Sequence, residues 1–145
     1  AVTPTGRDVT VSGPASRRLR GGLVLDLTAF SDMAPTVADL AAFADGPTEV
    51  TGVGFIRGKE TDRIAASVAE LRRVGVPAEE TDDGFVVRPE GPPRGPATIE
   101  TYDDHRMAMS FALVGLVVPG ISVADPAVVA KTHPGYWADL DRLRA

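Results

Sequence analysis

The chain contains no cysteine. It can therefore form no disulfide framework, and it has no thiol that could act as a nucleophile, so any catalysis must use other groups. This composition is compatible with a reducing cytosol, and we expect a cytoplasmic protein. Histidine is scarce too, with only His105 and His133. Two isolated histidines do not form the ligand pattern of a metal site, so we expect no metal.

Long apolar runs and an excess of positive charge are also missing. The longest apolar stretch, residues 107–118, is too short to span a bilayer. The net charge of -5 argues against nucleic-acid binding, which usually depends on a basic surface. We therefore expect neither a membrane nor a nucleic acid among the partners. A length of 145 residues with 43% hydrophobic side chains is enough for one domain with a hydrophobic core.

Lysine is the scarce cation, with two residues against 13 arginines. Arginine is the default cation of this chain, so each lysine needs a specific explanation. Lys59 and Lys131 lie 72 residues apart. The same shift places Leu27 on Ile99, Asp32 on Asp104, Ile64 on Tyr136 and Leu71 on Leu143. This alignment suggests an internal repeat with units at approximately 21–92 and 93–145.

Hydrophobic periodicity predicts an α/β chain in which strands and helices alternate. The predicted strands cover residues 8–12, 23–27, 49–56, 78–81, 85–88, 98–101 and 121–124. The predicted helices cover residues 31–46, 61–74, 104–118 and 134–143. Ser31 or Asp32 can cap the first helix, Pro35 suits its first turn, and Gly46 fits the position after its end. Gly75 ends the second helix.

Polar residues, most of them charged, collect where each predicted strand gives way to a helix. They are, junction by junction, Asp32; Lys59, Glu60 and Arg63; Asp104, His105 and Arg106; and Lys131, Thr132 and His133. A cation in the first turn of a helix opposes its dipole, at a cost of about 0.3–1 kcal/mol. That cost is explained if an external anion binds there, held by free backbone N–H groups and by the cation. The pattern favours a phosphorylated or carboxylated ligand.

A simpler explanation of the same residues stays open. Glu60 and Asp62 are ordinary residues for the first turn of a helix, and Arg63 could merely pair with them. Asp104 could be a capping residue and Arg106 a solvated one.

Four segments resemble signatures of the 5-enolpyruvylshikimate-3-phosphate synthase family. They are "SDMAPT" at 31–36, "RGKETDRI" at 57–64, "TYDDHRMAMSFAL" at 101–113 and "DPAVVAKTHPGYWADL" at 125–140. They occur in the family's order at compatible separations, and they cover essentially the whole chain. The resemblance extends over only the C-terminal third of the family's usual length.

The resemblance implies a fold of two domains, each an inside-out barrel of three βαβαββ units around a pseudo-threefold axis. This chain would supply about two units of one domain. The implied reaction transfers an enolpyruvyl group from phosphoenolpyruvate to the 5-hydroxyl of shikimate-3-phosphate by addition and elimination. It requires no cofactor, belongs to chorismate and aromatic amino acid biosynthesis, and is the step that glyphosate inhibits.

The resemblance also implies roles for individual residues. Asp32 and Glu60 correspond to the acid/base carboxylates. Arg63, Arg106 and Lys131 correspond to the cations that bind phosphoenolpyruvate. Lys59 and Asp32 correspond to contacts with the shikimate hydroxyls.

Two departures from the family affect these expectations. Phe55 stands where the family commonly has an asparagine or histidine, and its ring cannot hydrogen-bond a hydroxyl. The family's N-terminal part is also missing, so we expect the isolated chain to be inactive without that part in cis or in trans. The alternative is a non-catalytic fragment or split homologue that needs a partner chain. A second enolpyruvyl transferase, the one that acts on UDP-N-acetylglucosamine, shares the fold but not the motifs around Glu60 and Arg106.

Overall fold

The computed structural model describes residues 2–13 and 18–144. Its strands are β1 (Val2–Thr5), β2 (Asp8–Val11), β3 (Leu23–Asp26), β4 (Thr48–Thr51), β5 (Ala78–Thr81), β6 (Gly84–Val87), β7 (Ala97–Ile99) and β8 (Ile121–Val123). Its α-helices are α1 (Ala34–Ala41), α2 (Arg63–Arg73), α3 (His105–Phe111) and α4 (Tyr136–Arg144). Short 3₁₀ helices lie at Thr28–Met33, Gly54–Gly58, Ala112–Leu116 and Pro126–Lys131. None of the helices in the described ranges is long and apolar enough to cross a membrane.

The strands form three sheets. The largest has the order β3-β4-β6-β5, in which β3 and β4 are parallel and the other neighbours are antiparallel. β7 and β8 form a parallel pair, and β1 and β2 form an antiparallel hairpin. Helices α1, α2 and α3 pack together with the β4-β6 face around a core that includes Val50, Ile64, Phe85, Met107 and Phe111.

A similar order of elements occurs twice along the chain. Each round has a strand, a helical segment, a parallel strand, a 3₁₀ helix and an α-helix, from β3 to α2 and again from β7 to α4. In the first round a 3₁₀ helix precedes α1, whereas in the second round a 3₁₀ helix follows α3. The first round is followed by the hairpin β5-β6, whereas the described part of the chain ends with α4. The repeat units at approximately 21–92 and 93–145 stay a prediction.

Helix α2 follows the sequence pattern closely. The Asp62 carboxylate accepts hydrogen bonds from the backbone N–H groups of Ile64 and Ala65, which otherwise lack partners inside the helix. Ile64, Val68 and Leu71 form its buried face. Gly75, at φ 78°, lies in the left-handed region directly after the helix.

The predicted capping of the first helix is wrong. Residues 28–33 form a 3₁₀ helix, and α1 begins only at Ala34, with no side chain capping its N-terminus. Neither Ser31 nor Asp32 caps the helix, because the Asp32 carboxylate binds two arginines instead. Gly46 does not end the helix either. It packs so closely against Gly21 that a side chain on Gly21 would overlap its backbone.

Two further predicted elements are shorter in the structure. The predicted strand 49–56 ends at Thr51, because Gly52 takes a φ of 75° and the chain turns into a 3₁₀ helix. The Asp83 carboxylate holds this turn by accepting hydrogen bonds from Gly52 N at 2.7 Å and Gly54 N at 3.0 Å. The predicted helix 104–118 is regular only to Phe111 and continues as the 3₁₀ helix Ala112–Leu116.

Candidate functional site

Five of the predicted site residues meet in one network of ion pairs. Lys131 Nζ lies 2.6 Å from Glu60 Oε1, and Glu60 Oε2 lies 2.7 Å from Arg63 Nη2. Arg63 Nη1 lies 3.1 Å from Asp32 Oδ1, and Asp32 Oδ2 lies 2.8 Å from Arg106 Nη2. The network is therefore a chain of alternating charges that begins and ends with a cation.

These side chains come from different elements, and each stands at or near the start of a helix. Asp32 precedes α1, Glu60 and Arg63 stand at the start of α2, Arg106 is in the first turn of α3, and Lys131 precedes α4. Parallel pairing of β3 with β4 and of β7 with β8 turns the following segments toward the same side. The repeated topology thus brings residues that are far apart in sequence to one place.

Arg63 is the centre of the network and is 1% exposed. Its Nε donates to Asp104 Oδ2 at 2.8 Å and its Nη2 to Asp104 Oδ1 at 3.3 Å, in addition to the bonds to Asp32 and Glu60. Burial alone would lower the pKa of Arg63. The negative charges of Asp104, Glu60 and Asp32 outweigh burial, so the pKa of Arg63 lies above its usual value. The guanidinium is a fixed positive centre.

Asp104 holds Arg63 in place, a role that its position at a predicted helix start did not indicate. It is fully buried, and it also accepts a hydrogen bond from Arg106 N at 2.8 Å, so it does cap α3. One carboxylate thus fixes both the start of α3 and the orientation of Arg63. The available signal was its alignment with Asp32 at a shift of 72 residues.

Glu60 is ionised in this arrangement. The hydrogen bond from Lys131 is the largest of the effects that lower the pKa of Glu60 to about 2, and the positive charges of Arg63 and Lys131 act in the same direction. At neutral pH the side chain can accept a proton and has none to give.

The two ends of the network are open to solvent. The side chains of Arg106 and Lys131 are 32% and 57% exposed, in contrast to Arg63. Beside Asp32 and Arg106 lies a cleft of about 210 Å³, lined also by Thr36, Ser110 and Tyr136. An incoming anion could reach both terminal cations without disturbing the buried centre.

Lys59 does not join the network. Its Nζ lies 6.0 Å from the centroid of the Phe55 ring, at the outer limit of a cation–π contact. Phe55 itself is exposed. The residue that departs from the family pattern therefore lies beside the lysine assigned to the same substrate.

Two further residues near the helix starts, Arg57 and His133, have charged partners within the chain. Arg57 donates to Asp62 at 2.9 Å and to Glu80 at 2.6 Å, and so ties the start of α2 to β5. His133 pairs with Asp139 at 2.7 Å. Burial lowers the pKa of His105. Within residues 2–13 and 18–144, no group of three or more acidic or histidine side chains could hold a metal ion.

Comparison with known proteins gives consistent matches. A family model described as EPSP synthase (3-phosphoshikimate 1-carboxyvinyltransferase) matches residues 1–140. The 3-phosphoshikimate 1-carboxyvinyltransferase of Nostoc punctiforme is 49% identical over 127 residues, which are 88% of this chain and 29% of that protein. The Kocuria rhizophila protein of the same name is 47% identical over 134 residues, covering 90% of this chain and 29% of that protein.

Two solved structures are also similar to this chain. EPSP synthase from Acinetobacter baumannii superposes with a TM-score of 0.69 at 33% identity, covering 74% of this chain and 26% of that one. The enolpyruvyl transferase NikO from Streptomyces tendae superposes with a TM-score of 0.74 at 25% identity, covering 99% of this chain and 32% of that one. The chain spans 29% of the length of each of the two curated relatives.

Proposed function

Because this chain belongs to the EPSP synthase family, we propose that it is the C-terminal portion of an enzyme that transfers the enolpyruvyl group of phosphoenolpyruvate to the 5-hydroxyl of shikimate-3-phosphate. The products are 5-enolpyruvylshikimate-3-phosphate and phosphate, on the cytoplasmic route to chorismate and the aromatic amino acids. The observation that carries the proposal is the network Lys131-Glu60-Arg63-Asp32-Arg106.

Phosphoenolpyruvate has two anionic groups, a phosphate and a carboxylate, which suits a site with an accessible cation at either end. Arg106 can grip an oxyanion with its planar fork, whereas Lys131 offers a compact charge. Each cation is already paired with a carboxylate of the chain. Binding would therefore exchange partners: the ligand takes Arg106 and Lys131, and Asp32 and Glu60 lose one counter-charge each.

This exchange gives the carboxylates the properties that acid/base catalysis requires. A carboxylate with a pKa of about 2 is a weak base. If Lys131 turns to the ligand, the hydrogen bond that contributes most to this low pKa is lost, and the proton affinity of Glu60 rises. Asp32, half exposed and still bound to Arg63, remains beside the reacting groups. Arg63, held by Asp104, supplies fixed positive charge where negative charge develops.

The reaction has two steps, an addition and an elimination. In the addition, the 5-hydroxyl oxygen bonds to C2 of phosphoenolpyruvate, the double bond between C2 and C3 opens, and the hydroxyl proton passes through the two carboxylates to C3. In the elimination, a carboxylate removes a proton from C3, the double bond re-forms and the C2–O bond to phosphate breaks. We assign the acid/base work to Glu60 and Asp32 together, since each group must return the proton it takes.

Lys59 and Asp32 are the proposed contacts to the acceptor. Asp32 can accept hydrogen bonds from ring hydroxyls, and Lys59 can donate to them. Phe55 offers the acceptor an apolar face instead of a hydrogen bond. We propose that shikimate-3-phosphate is held here through Asp32 and Lys59.

Catalysis by this chain is proposed to depend on the part of the family's length that it lacks, in the same polypeptide or as a second chain. The network lies at an open surface, so water reaches it and two substrates are not held in attack geometry by these residues alone. The alternative is a non-catalytic fragment or split homologue that needs a partner. It also predicts no turnover by the isolated chain, but the two proposals differ in the turnover expected after the missing part is added.

The test is phosphate release from phosphoenolpyruvate and shikimate-3-phosphate, measured for the purified chain and after addition of the N-terminal two-thirds of the Kocuria rhizophila relative. We expect no turnover by the chain alone and turnover after mixing. Turnover by the chain alone would refute the dependence on a missing part. A folded mixture that binds both substrates without turnover would support the non-catalytic alternative.

A further inference from the structure

Glu70 is a buried carboxylate that the proposed chemistry does not use. It lies in α2 and is fully buried. Its Oε1 accepts a hydrogen bond from the Tyr102 hydroxyl at 2.7 Å, and its Oε2 accepts bonds from Arg73 Nε at 2.8 Å and Glu100 N at 3.1 Å. Burying a carboxylate is costly unless it is paired and hydrogen-bonded, which these donors achieve. Two of them belong to residues 100–104, between β7 and α3, which we call the β7-α3 segment.

Helix α2 meets the β7-α3 segment a second time at its own start. Arg63 and Glu70 are about two helical turns apart, so their side chains lie on one face of α2. Between them, the buried Ser67 hydroxyl contacts Met107 Sδ of α3 at 3.8 Å. Arg63 binds the Asp104 carboxylate at the end of the segment, whereas the bonds of Glu70 lie nearer its beginning. The segment is thus attached to one helix at two points.

The segment contains a strained turn at Tyr102 and Asp103. Asp104 N donates to Thr101 O at 2.9 Å, and the two residues between them have φ of 55° and 56°. Turns with positive φ at both central residues are dominated by glycine, asparagine and aspartate, and for a bulky side chain this conformation is strained. Such a conformation persists only where the surrounding structure holds it. The hydrogen bond from the Tyr102 hydroxyl to Glu70 is a contact of this kind.

The bond between Tyr102 and Glu70 has a constant donor and a strong acceptor. Burial and the hydrogen bond to Glu70 raise the pKa of Tyr102 to about 12, so the hydroxyl keeps its proton at neutral pH. Glu70 forms an ion pair with Arg73, and hydrogen bonds to a charged group are stronger than those between neutral groups.

The turn at residues 102–103 determines where two groups of the site lie. Directly after it, Asp104 binds the Arg63 guanidinium at 2.8 Å and caps α3 by accepting a hydrogen bond from Arg106 N at 2.8 Å. If φ of Tyr102 relaxed to a negative value, the chain would change direction two residues before Asp104. The Asp104 carboxylate would then leave Arg63, and the first turn of α3, which carries Arg106, would lose its cap.

We propose that Glu70 is a positioning residue of the site: by binding the Tyr102 hydroxyl, it holds the strained turn that presents Asp104 to Arg63 and to the start of α3. Glu70 acts through Tyr102 and is not a member of the ion-pair network. Its effect on phosphoenolpyruvate rests on the proposed function, since Arg63 and Arg106 are the cations assigned to that substrate. Its effect on the bond between Arg63 and Asp104 does not.

The first experiment measures hydrogen exchange in the purified chain by NMR. It compares the Arg63 Nε–H, which donates to Asp104, with the backbone N–H of Val68, which reports unfolding of α2 as a whole. Tyr102→Phe keeps the ring and removes the bond to Glu70. Relative to the exchange at Val68, we expect exchange at Arg63 Nε–H to become about 10-fold faster or more, the loss typical of a hydrogen bond to a charged group.

Two further variants complete this experiment. Glu70→Leu removes the acceptor of the same bond and should give the same result, and Tyr102→Phe decides the question by itself if the leucine variant does not fold. Arg72→Ala is the matched control. It removes a hydrogen bond that ties α2 to β5, from Arg72 Nε to Ala78 O at 2.8 Å, and it leaves the β7-α3 segment unchanged. Exchange at Arg63 Nε–H in this control should match wild type.

Three results of the exchange measurement would overturn the proposal. The first is unchanged exchange at Arg63 in Tyr102→Phe. The second is exchange that accelerates equally at Arg63 and Val68, because Glu70 would then only stabilise α2 as a whole. The third is the same acceleration at Arg63 in Arg72→Ala, because loss of any hydrogen bond of α2 would then have this effect.

The second experiment is steady-state kinetics after addition of the N-terminal two-thirds of the Kocuria rhizophila relative. In Tyr102→Phe we expect the KM for phosphoenolpyruvate to rise about 10-fold, while that for shikimate-3-phosphate changes little. A residue that only stabilised the fold would reduce the active fraction, so a lower kcat with both KM values unchanged would contradict the proposal. A wild-type mixture without turnover would refute the proposed function instead, and the exchange measurement would still decide the role of Glu70.

Discussion

Asp39 allows a sharp test of how this fold tolerates a buried carboxyl. It lies in α1 and is 1% exposed, and its Oδ1 has no hydrogen-bond partner among the described residues. Burial raises the pKa of Asp39 to about 7 from the usual 3.8. An ionised carboxylate without a counter-charge destabilises a folded protein, so stability should depend on the protonation of this one group.

The sign follows from proton uptake in the two states. Below the unfolded pKa of 3.8, both states hold the proton and the group has no effect on stability. Between that value and about 7, the unfolded chain loses the proton while the folded chain keeps it. Stability then falls by about 1.4 kcal/mol per pH unit. Above the folded pKa the loss is constant at about 4 kcal/mol, which is the free energy of a shift of this size.

Asp39→Asn removes the titration and keeps the shape of the side chain. At every pH the substitution lowers the free energy of unfolding by about 1–3 kcal/mol, because the buried amide also lacks hydrogen-bond partners. The pH dependence is therefore the informative quantity. Relative to wild type, the free energy of unfolding of the variant should rise by about 3 kcal/mol between pH 5 and pH 8, because most of the titration of Asp39 in the folded protein lies in this interval.

The assay is urea denaturation followed by circular dichroism at a series of pH values for both proteins. All other titratable groups contribute equally to the free energies of unfolding of the two proteins, so they cancel when one is subtracted from the other. Glu79→Gln, at an exposed surface pair with Arg88, serves as the matched control and should run parallel to wild type. Parallel curves for Asp39→Asn and wild type would refute the reasoning, because they would mean that Asp39 is ionised in the folded state at no cost.

Three further variants test the site. Glu60→Gln keeps the shape but cannot take up a proton, so turnover in the reconstituted enzyme should fall about 100-fold or more with little change in stability; wild-type turnover would exclude Glu60 as an acid/base group. Lys131→Arg should raise the KM for phosphoenolpyruvate more than that for shikimate-3-phosphate, since a bulky fork replaces a compact ammonium; unchanged kinetics for both would exclude Lys131 as a ligand. Asp104→Asn should destabilise the chain by about 3 kcal/mol, because it leaves the buried Arg63 without its main partner; urea denaturation that matches wild type would contradict that role.

The family was predicted from four motifs and the α/β class from hydrophobic periodicity, and both are confirmed by the family model and the solved structures. Helix α2 was predictable in detail because its signals are local: a capping Asp62, an apolar face and Gly75. The region after β4 could not be predicted from local signals. Val53, Phe55 and Ile56 have the composition of a strand, but Asp83, about 30 residues away, holds the turn that ends it.

The convergence of the site could be predicted because it follows from the repeated order of strands and helices. The pairing of charges within the site could not be predicted. A cation at a helix start looks the same in sequence whether it faces a ligand or a carboxylate of its own chain. Arg57 and Arg63 both turn out to be paired internally, and the simpler explanation of Arg63 is correct as far as its pairing with Glu60 goes. Arg106 and Lys131 are paired internally as well, but both remain accessible to solvent.

Asp32 and Asp104 show how the two rounds of the fold divide the work around one arginine. They stand 72 residues apart at equivalent helix starts, and both bind the Arg63 guanidinium. Asp104 is fully buried and also caps α3, so its two bonds cannot be released without exposing an unpaired charge in the core. The Asp32 side chain is 46% exposed and caps no helix, so it can change partners. Burial therefore fixes Asp104 as the anchor of Arg63, whereas the exposed Asp32 keeps the freedom to exchange its partners.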